Sequence, residues 1–182
     1  MDDLALARAL ATGDEAAFHI LVDRESAVIL RLCYRIIGHV DEAEDAAQES
    51  FVLAYRALGS YRADGPPGAW LARIATRVCW RRSGSLSRRR ATTTPIDEVL
   101  AATLAGPADP EAEVVAAEQA ATLRRAVARL PEPYREIVAL RYFADLSSVA
   151  IASAMGKPEA TIRTQLRRGL ERLRALMPDG AT

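Results

Sequence analysis

Residues 147–168 read SSVAIASAMGKPEATIRTQLRR, and this stretch decides how the rest of the chain is parsed. Ser147 is a residue type that caps helix N-termini, and Val149, Ile151, Ala152 and Met155 follow as the predicted buried face of a short helix. Gly156 supplies the positive φ of a tight interhelical turn, and Pro158 suits the first turn of the next helix. In that helix Ile162, Leu166, Leu170 and Leu173 form the buried stripe, and small Ala152 lets the two helices approach. At about 100° per residue, Thr161, Thr164, Gln165, Arg168 and Arg172 fall on the opposite face, flanked by Arg163 and Arg167. This is the pattern of a helix-turn-helix whose second helix enters a DNA major groove. Arginine can grip guanine or phosphate and glutamine can read adenine, so these residue types suit base readout. The bland alternative is a helical hairpin with a solvated arginine face.

Outward from that motif the pattern stays helical, and the chain is predicted to be all-α. Asp14 can cap a helix with the stripe Phe18, Leu21, Val22, Ile29, Leu32, Cys33 and Ile36, which Gly38 can end. Asp41 with Glu44 has capping-box spacing before a helix from about 42 to 58, with Ala43, Ala47, Phe51, Ala54 and Leu58 inward. Residues 59–68 end in Asp64-Gly65-Pro66-Pro67-Gly68 and read as a loop, and a helix from Ala69 to about Arg82 follows. From 83 to 118 Ser, Thr, Pro, Ala and acidic residues accumulate, the composition of a flexible linker. Such a linker reaches on the order of 120 Å extended and about 30 Å as a coil. Helices resume at about 112–129, 131–143, 147–155 and 158–176. The expected organisation is two small helical domains, 1–82 and 119–182, joined by the 83–118 linker.

Charge supports more than one partner. The 182 residues hold 24 basic and 24 acidic side chains, but the balance is segmental. Residues 1–60 carry eleven acids and five bases, whereas 71–90 carry seven arginines and no acid. Residues 95–118 carry six acids and no base, and 119–176 eleven bases and five acids. Basic surfaces attract polyanions by counterion release, and acidic ones suit basic protein surfaces. Half the residues are apolar and no apolar run reaches the length of a membrane span, which excludes disordered and membrane-inserted classes. The acidic start Met1-Asp2-Asp3 is unlike a secretory signal, so the expected location is cytoplasmic. Cys33 and Cys79 lack Cys-x-x-Cys spacing and His19 and His39 are the only histidines, so neither a disulfide framework, a metal nor a cofactor is expected.

Two further faces stand out. Asp45 and Glu49 lie one turn apart, flanked by Asp41 and Gln48, with Val52 as an apolar island among them. That arrangement suits docking on a basic protein. Paired carboxylates can also do acid-base or metal chemistry, but no nearby histidine, nucleophile or phosphate loop supports an enzyme. In the next helix Arg73, Arg77 and Arg81 recur every fourth residue with Trp80 between the last two, while Leu71, Ile74, Ala75 and Val78 face away. Cations can follow phosphate and rings can stack unpaired bases, a combination for single-stranded DNA to which Tyr61 and Arg62 in the preceding loop add. Trp70 reads as a packing anchor, and Trp80 is open between packing and stacking.

The two halves together resemble the extracytoplasmic-function sigma factors of bacterial RNA polymerase. Residues 13 to about 82 resemble sigma region 2, through Gly13-Asp14-Glu15-Ala16-Ala17-Phe18, Glu44-Asp45-Ala46-Ala47-Gln48-Glu49-Ser50-Phe51 and Ala69-Trp70-Leu71-Ala72-Arg73-Ile74-Ala75. Residues 120 to 176 resemble region 4, through Leu130-Pro131-Glu132-Pro133-Tyr134-Arg135-Glu136, Leu140-Arg141-Tyr142 and Ala160-Thr161-Ile162-Arg163-Thr164-Gln165-Leu166-Arg167-Arg168. The resemblance implies a non-enzymatic factor that binds core polymerase and promoter DNA and is held idle by an anti-sigma protein. It implies that Asp45, Gln48 and Glu49 dock on the clamp helices of the largest subunit. Tyr61, Arg62, Arg73, Arg77, Trp80 and Arg81 would then open and read the minus-10 element, and Thr161, Arg163, Thr164, Gln165, Arg167 and Arg168 the minus-35 element. It further implies that the acidic linker threads an RNA channel. The family's usual Phe-Arg before Ala-Trp-Leu is Pro67-Gly68 here, its Asn and Asp in the following helix are Arg77 and Arg81, and Ala150 and Gln165 replace a usual Glu and a frequent Arg. The residues alone leave open a stand-alone helix-turn-helix regulator, or an adaptor with no DNA role.

Overall fold

Asp2 accepts from the Ala5 amide at 2.7 Å and so starts α1 (Asp3–Ala11), a helix not expected from the sequence pattern. The computed structural model describes residues 2–89 and 110–177. Asp14 caps α2 (Glu15–Ile37) by accepting from Ala16 and Ala17, and Gly38, at φ 74°, ends it as the spacing predicts. Next come α3 (Val40–Arg56), a single 3-10 turn at Leu58–Ser60 and α4 (Pro67–Arg89). The second group is α5 (Pro110–Ala128), α6 (Tyr134–Tyr142), α7 (Ser148–Met155) and α8 (Glu159–Leu176). Every regular element among the described residues is helical, which agrees with the expected all-α architecture.

Each group builds its core from the striped faces. Helices α2, α3 and α4 pack mutually, with α1 across them, around Leu6, Leu10, Leu21, Ile29, Leu32 and Leu71, all fully buried. In the second group Leu130, Ile137, Leu140, Ile151 and Ile162 fill the space among α5 to α8. Each such aliphatic side chain contributes about 1.5–3 kcal/mol by leaving water. Cys33 on α2 and Cys79 on α4 are free thiols in the first core. The hydrogen bond with Cys33, together with burial, holds the Cys79 thiol far above its ordinary range.

The helix-turn-helix of α7 and α8 forms as predicted. Ser147 accepts from Ala150 N at 3.1 Å to cap α7, and Gly156 takes φ 63° in the turn to α8. Gly169 marks where α8 crosses α6 most closely, since a Cβ there would stand 3.0 Å from Val138 Cγ2 and 3.4 Å from Tyr134 Cβ. Gly169→Val is therefore expected to overpack this crossing and cost about 1–3 kcal/mol. A melting midpoint equal to that of the parent chain, followed by circular dichroism, is the result that would contradict it.

Several expectations need correction. Asp41 and Glu44 do not form a capping box. The helix starts earlier, at Val40, with His39 in the cap position and no side-chain cap bond there, so Asp41 and Glu42 lie in the first turn and face the helix dipole instead. Val149 is not core: it is 61% exposed, and Ala150 is buried in its place. The helix expected to stop near Arg82 runs to Arg89, and the next begins at Pro110. Both ends of the predicted 83–118 linker are thus helical, and the rest of that prediction lies outside the described residues. Pro158 precedes α8 as its cap residue, in extended conformation, rather than sitting in the first turn.

Candidate nucleic-acid and protein interfaces

The helix-turn-helix turns one face of α8 to solvent. The buried stripe locks the helix against α6 and α7 through Ile162 and Leu173, with Leu166 and Leu170 half-buried. Opposite them Arg163, Thr164, Arg167 and Arg168 are exposed, and Thr161 and Gln165 are half-buried. Arg163 pairs with Glu159 at 2.7 Å and Arg167 reaches Glu171 at 3.9 Å, both one turn away on the helix surface. Pairs this exposed exchange readily for phosphate. Arg168 has no carboxylate partner among the described residues. Arg172 lies over the Tyr134 ring at 4.8 Å, which fixes its stem against the fold. Thr164 is satisfied internally, its hydroxyl donating to Ala160 O at 2.9 Å. The Gln165 amide oxygen is buried without a partner, an acceptor that a rotation of the side chain would bring to solvent.

On the first group, α3 presents the predicted acidic face. Asp41, Glu44, Asp45 and Gln48 are exposed, and Val52 is 49% exposed beside them. The face is already engaged from α4. Arg82 bonds Asp45 at 3.0 Å and Glu49 at 2.8 Å and lies 3.5 Å from Glu42, while Arg81 takes the other oxygen of Glu49. The hydrogen bond from Arg82 is the largest cause that holds the Glu49 carboxyl below the usual carboxylate range. A depressed folded-state value means that the pairing is fully present above the ordinary Glu range and is lost as pH falls through the lowered one. The sequence pattern singles out Arg81 and leaves out Arg82, because the partners of Arg82 stand on a different helix and the arginine spacing along α4 does not report them.

The basic-aromatic face of α4 meets the second group. Arg73 donates to Glu136 at 3.1 Å and to the Ala154 carbonyl at 2.8 Å, and Arg135 lies over the Trp80 ring at 5.5 Å. Arg77 is exposed; together with Arg73, Trp80 and Arg81 it lines a cleft of about 440 Å³ whose other wall carries Glu132, Arg135, Glu136 and Lys157. Lys157 is half-buried in that wall. The Trp80 indole nitrogen is buried there without a hydrogen-bond partner. Tyr61 is only 7% exposed, donates to the Gly65 carbonyl at 2.6 Å, and packs on Trp70 with ring centroids 5.0 Å apart. Burial pushes its phenol up to about 12. Arg62 is exposed. Further contacts join the groups: Ser153 donates to the Asp64 carbonyl at 2.6 Å, and Arg35 reaches Phe143 O at 2.9 Å and Asp145 at 3.0 Å. At Gly65 a Cβ would fall 2.0 Å from Ser153 Oγ, so this approach requires glycine. In this arrangement the structure brings Arg73, Arg77, Trp80 and Arg81 together in one cleft, covers Tyr61, and places Arg62 with Tyr61 and Arg73 in an adjoining cavity of about 290 Å³.

Among the described residues there is no group of His, Cys, Asp or Glu that could hold a metal ion, and no helix is long and apolar enough to cross a membrane.

Comparison with known proteins matches both halves. Residues 21–90 match the family described as Sigma-70 region 2, and residues 120–173 that described as Sigma-70, region 4. The chain is 34% identical over 176 residues to the ECF RNA polymerase sigma factor SigW of Bacillus subtilis, covering 92% of each chain. It is 34% identical to the RNA polymerase sigma-H factor of Pseudomonas aeruginosa, covering 97% of this chain and 94% of that one. In fold it is similar to CnrH in a complex with the cytosolic domain of CnrY, with a TM-score of 0.60, 22% identity and 96% of each chain covered.

Proposed function

The chain belongs to the extracytoplasmic-function sigma factors of RNA polymerase, and from that membership we propose how its surfaces share the work. As a sigma factor it binds core RNA polymerase and directs promoter-specific initiation of DNA-templated transcription. The match of both halves favours this over a stand-alone helix-turn-helix regulator.

The finer assignments are ours. Residues 1–82 act as the region that docks on polymerase and handles the minus-10 element, 83–118 as the linker, and 119–182 as the region that reads minus-35. Asp45, Gln48 and Glu49 meet the clamp helices of the largest subunit. Tyr61, Arg62, Arg73, Arg77, Trp80 and Arg81 capture unpaired non-template bases, and Thr161, Arg163, Thr164, Gln165, Arg167 and Arg168 meet the duplex at minus-35. The observation that carries this reading is the pair of exposed faces of opposite charge, α3 acidic and α8 basic, held on separate helical groups of one chain. Contacts of modest strength on such tethered groups become strong in combination, because the second event is effectively intramolecular. The cover over Arg73, Trp80 and Tyr61 supports poor DNA binding by the free chain, with polymerase drawing the groups apart before the minus-10 surface is used. The protein does no covalent chemistry of its own, acts in the cytoplasm, and is held idle by an anti-sigma protein.

Run-off transcription with purified core polymerase tests the whole reading. Transcripts from a cognate promoter, selected from random DNA, are expected only when the chain is added. Tight duplex binding by the chain alone, with no transcript, would return the stand-alone regulator.

A further inference from the structure

Glu42, Asp45 and Glu49 stand at successive turns of α3 and form one anionic row along it. Like charges at such spacing repel, and their long side chains, left alone, would sample many rotamers. The Arg82 guanidinium sits against all three, at 3.5 Å, 3.0 Å and 2.8 Å, with its side chain only 26% exposed. A planar fork of five N–H groups can bridge several carboxylates at fixed geometry, which a lysine ammonium cannot. Arg82 takes Oδ2 of Asp45 and Oε2 of Glu49, so the orientation of those groups is set by α4 and not by solvent. Asp45 still has its side chain 64% exposed, open to an incoming cation.

We propose that Arg82 is a positioning residue for polymerase docking: by holding Glu42, Asp45 and Glu49 together it presets the acidic row that a basic surface of the polymerase meets. This rests on reading Asp45 and Glu49 as docking residues. Preset side chains lose less freedom when the complex forms, so the benefit is in affinity for core polymerase. The cost of a bridging arginine is partial neutralisation of the row, and the exposure left to Asp45 is what keeps that cost small. Arg82 also lies on the helix that carries Arg73, Arg77 and Trp80, so α4 both braces the docking row of α3 and bears the basic-aromatic face.

The test is a double-substitution cycle on the full chain, with core-polymerase affinity measured by fluorescence anisotropy. Arg82→Gln is expected to weaken binding roughly five- to ten-fold. Arg82→Lys, which keeps the charge and disturbs the fold least, is expected to recover only part of the loss. In a chain already carrying Asp45→Asn and Glu49→Gln, Arg82→Gln should have no further effect. An equal loss in that background would mean that Arg82 acts only on the fold, and the proposal fails. Unchanged or tighter binding by Arg82→Gln, while Asp45→Asn with Glu49→Gln weakens it, would make Arg82 a mask; the proposal then fails and the docking assignment survives. No effect from Asp45→Asn with Glu49→Gln would remove the docking assignment and the proposal with it. An NMR titration gives an independent readout: the Glu49 midpoint should return toward its ordinary value in Arg82→Gln, and an unmoved midpoint counts against the brace.

Discussion

A chain carrying Asp45→Arg together with Glu49→Arg is expected to lose affinity for core polymerase by about 100-fold or more, while its far-ultraviolet spectrum and melting midpoint change little. Removal of one member of a close interfacial charge pair costs about 2–5 kcal/mol, and reversal at two sites adds repulsion to that loss. Since about 1.4 kcal/mol is a factor of ten, even the low end compounded over two positions exceeds 100-fold. The fold should tolerate the change because Asp45 is well exposed and Arg82, though deprived of two partners, keeps Glu42 and a path to water. A pair as exposed on one side as Arg82–Asp45 contributes at most about 1 kcal/mol to folding, and the less exposed Arg82–Glu49 pair sets the larger part of whatever stability is lost. Co-elution with core polymerase in size-exclusion chromatography measures the effect, and an intact complex would take these two residues out of the docking surface.

Arg168→Ala is expected to weaken minus-35 recognition by roughly 1–3 kcal/mol, a factor of about 5 to 150. Of the three exposed arginines Arg163, Arg167 and Arg168 it is the one without a carboxylate partner among the described residues, since Arg163 and Arg167 have Glu159 and Glu171. A base contact and a phosphate contact leave different signatures. If Arg168 reads a base, the loss falls on one promoter position and the salt dependence barely moves; if it binds phosphate, all sequences weaken together and the salt slope drops by about one. Footprinting of the polymerase complex on promoters substituted through the minus-35 element distinguishes these, and an unaltered footprint would place Arg168 outside the interface.

What could be read from the sequence divides by physical range. Helix ends set by a local rule were legible: Asp14 and Ser147 cap by their own side chains, and Gly38 and Gly156 adopt the positive φ that their type permits. The exposed arginine face of α8 followed from periodicity alone. Rules that depend on where a neighbour lies failed. Val149 has the right spacing for core, yet in the first turn of short α7 it is exposed and Ala150 is buried, while Ile151, Ala152 and Met155 are buried as expected. Asp41 and Glu44 had the spacing of a capping box, but Val40 starts the helix one residue before the first of them. Helix α1 is short and its signal is correspondingly weak, although Asp2 caps it and Leu6 and Leu10 are fully buried. The pairings Arg73–Glu136, Arg35–Asp145 and Ser153–Asp64 join residues 63 to 110 positions apart. No local pattern reports contacts at that separation, and so the cover over the basic-aromatic face was invisible before the structure.

The thiol pair between α2 and α4 carries a practical corollary. Only the thiolate attacks an alkylating reagent, and Cys79 is both shut away from solvent and held in its protonated form beside Cys33. Modification must then wait for the seam between the two helices to part, so the labelling rate becomes a stopwatch for breathing of the first helical group. Followed in the presence and absence of core polymerase, the same chemistry would gauge how far capture by the enzyme stiffens that seam.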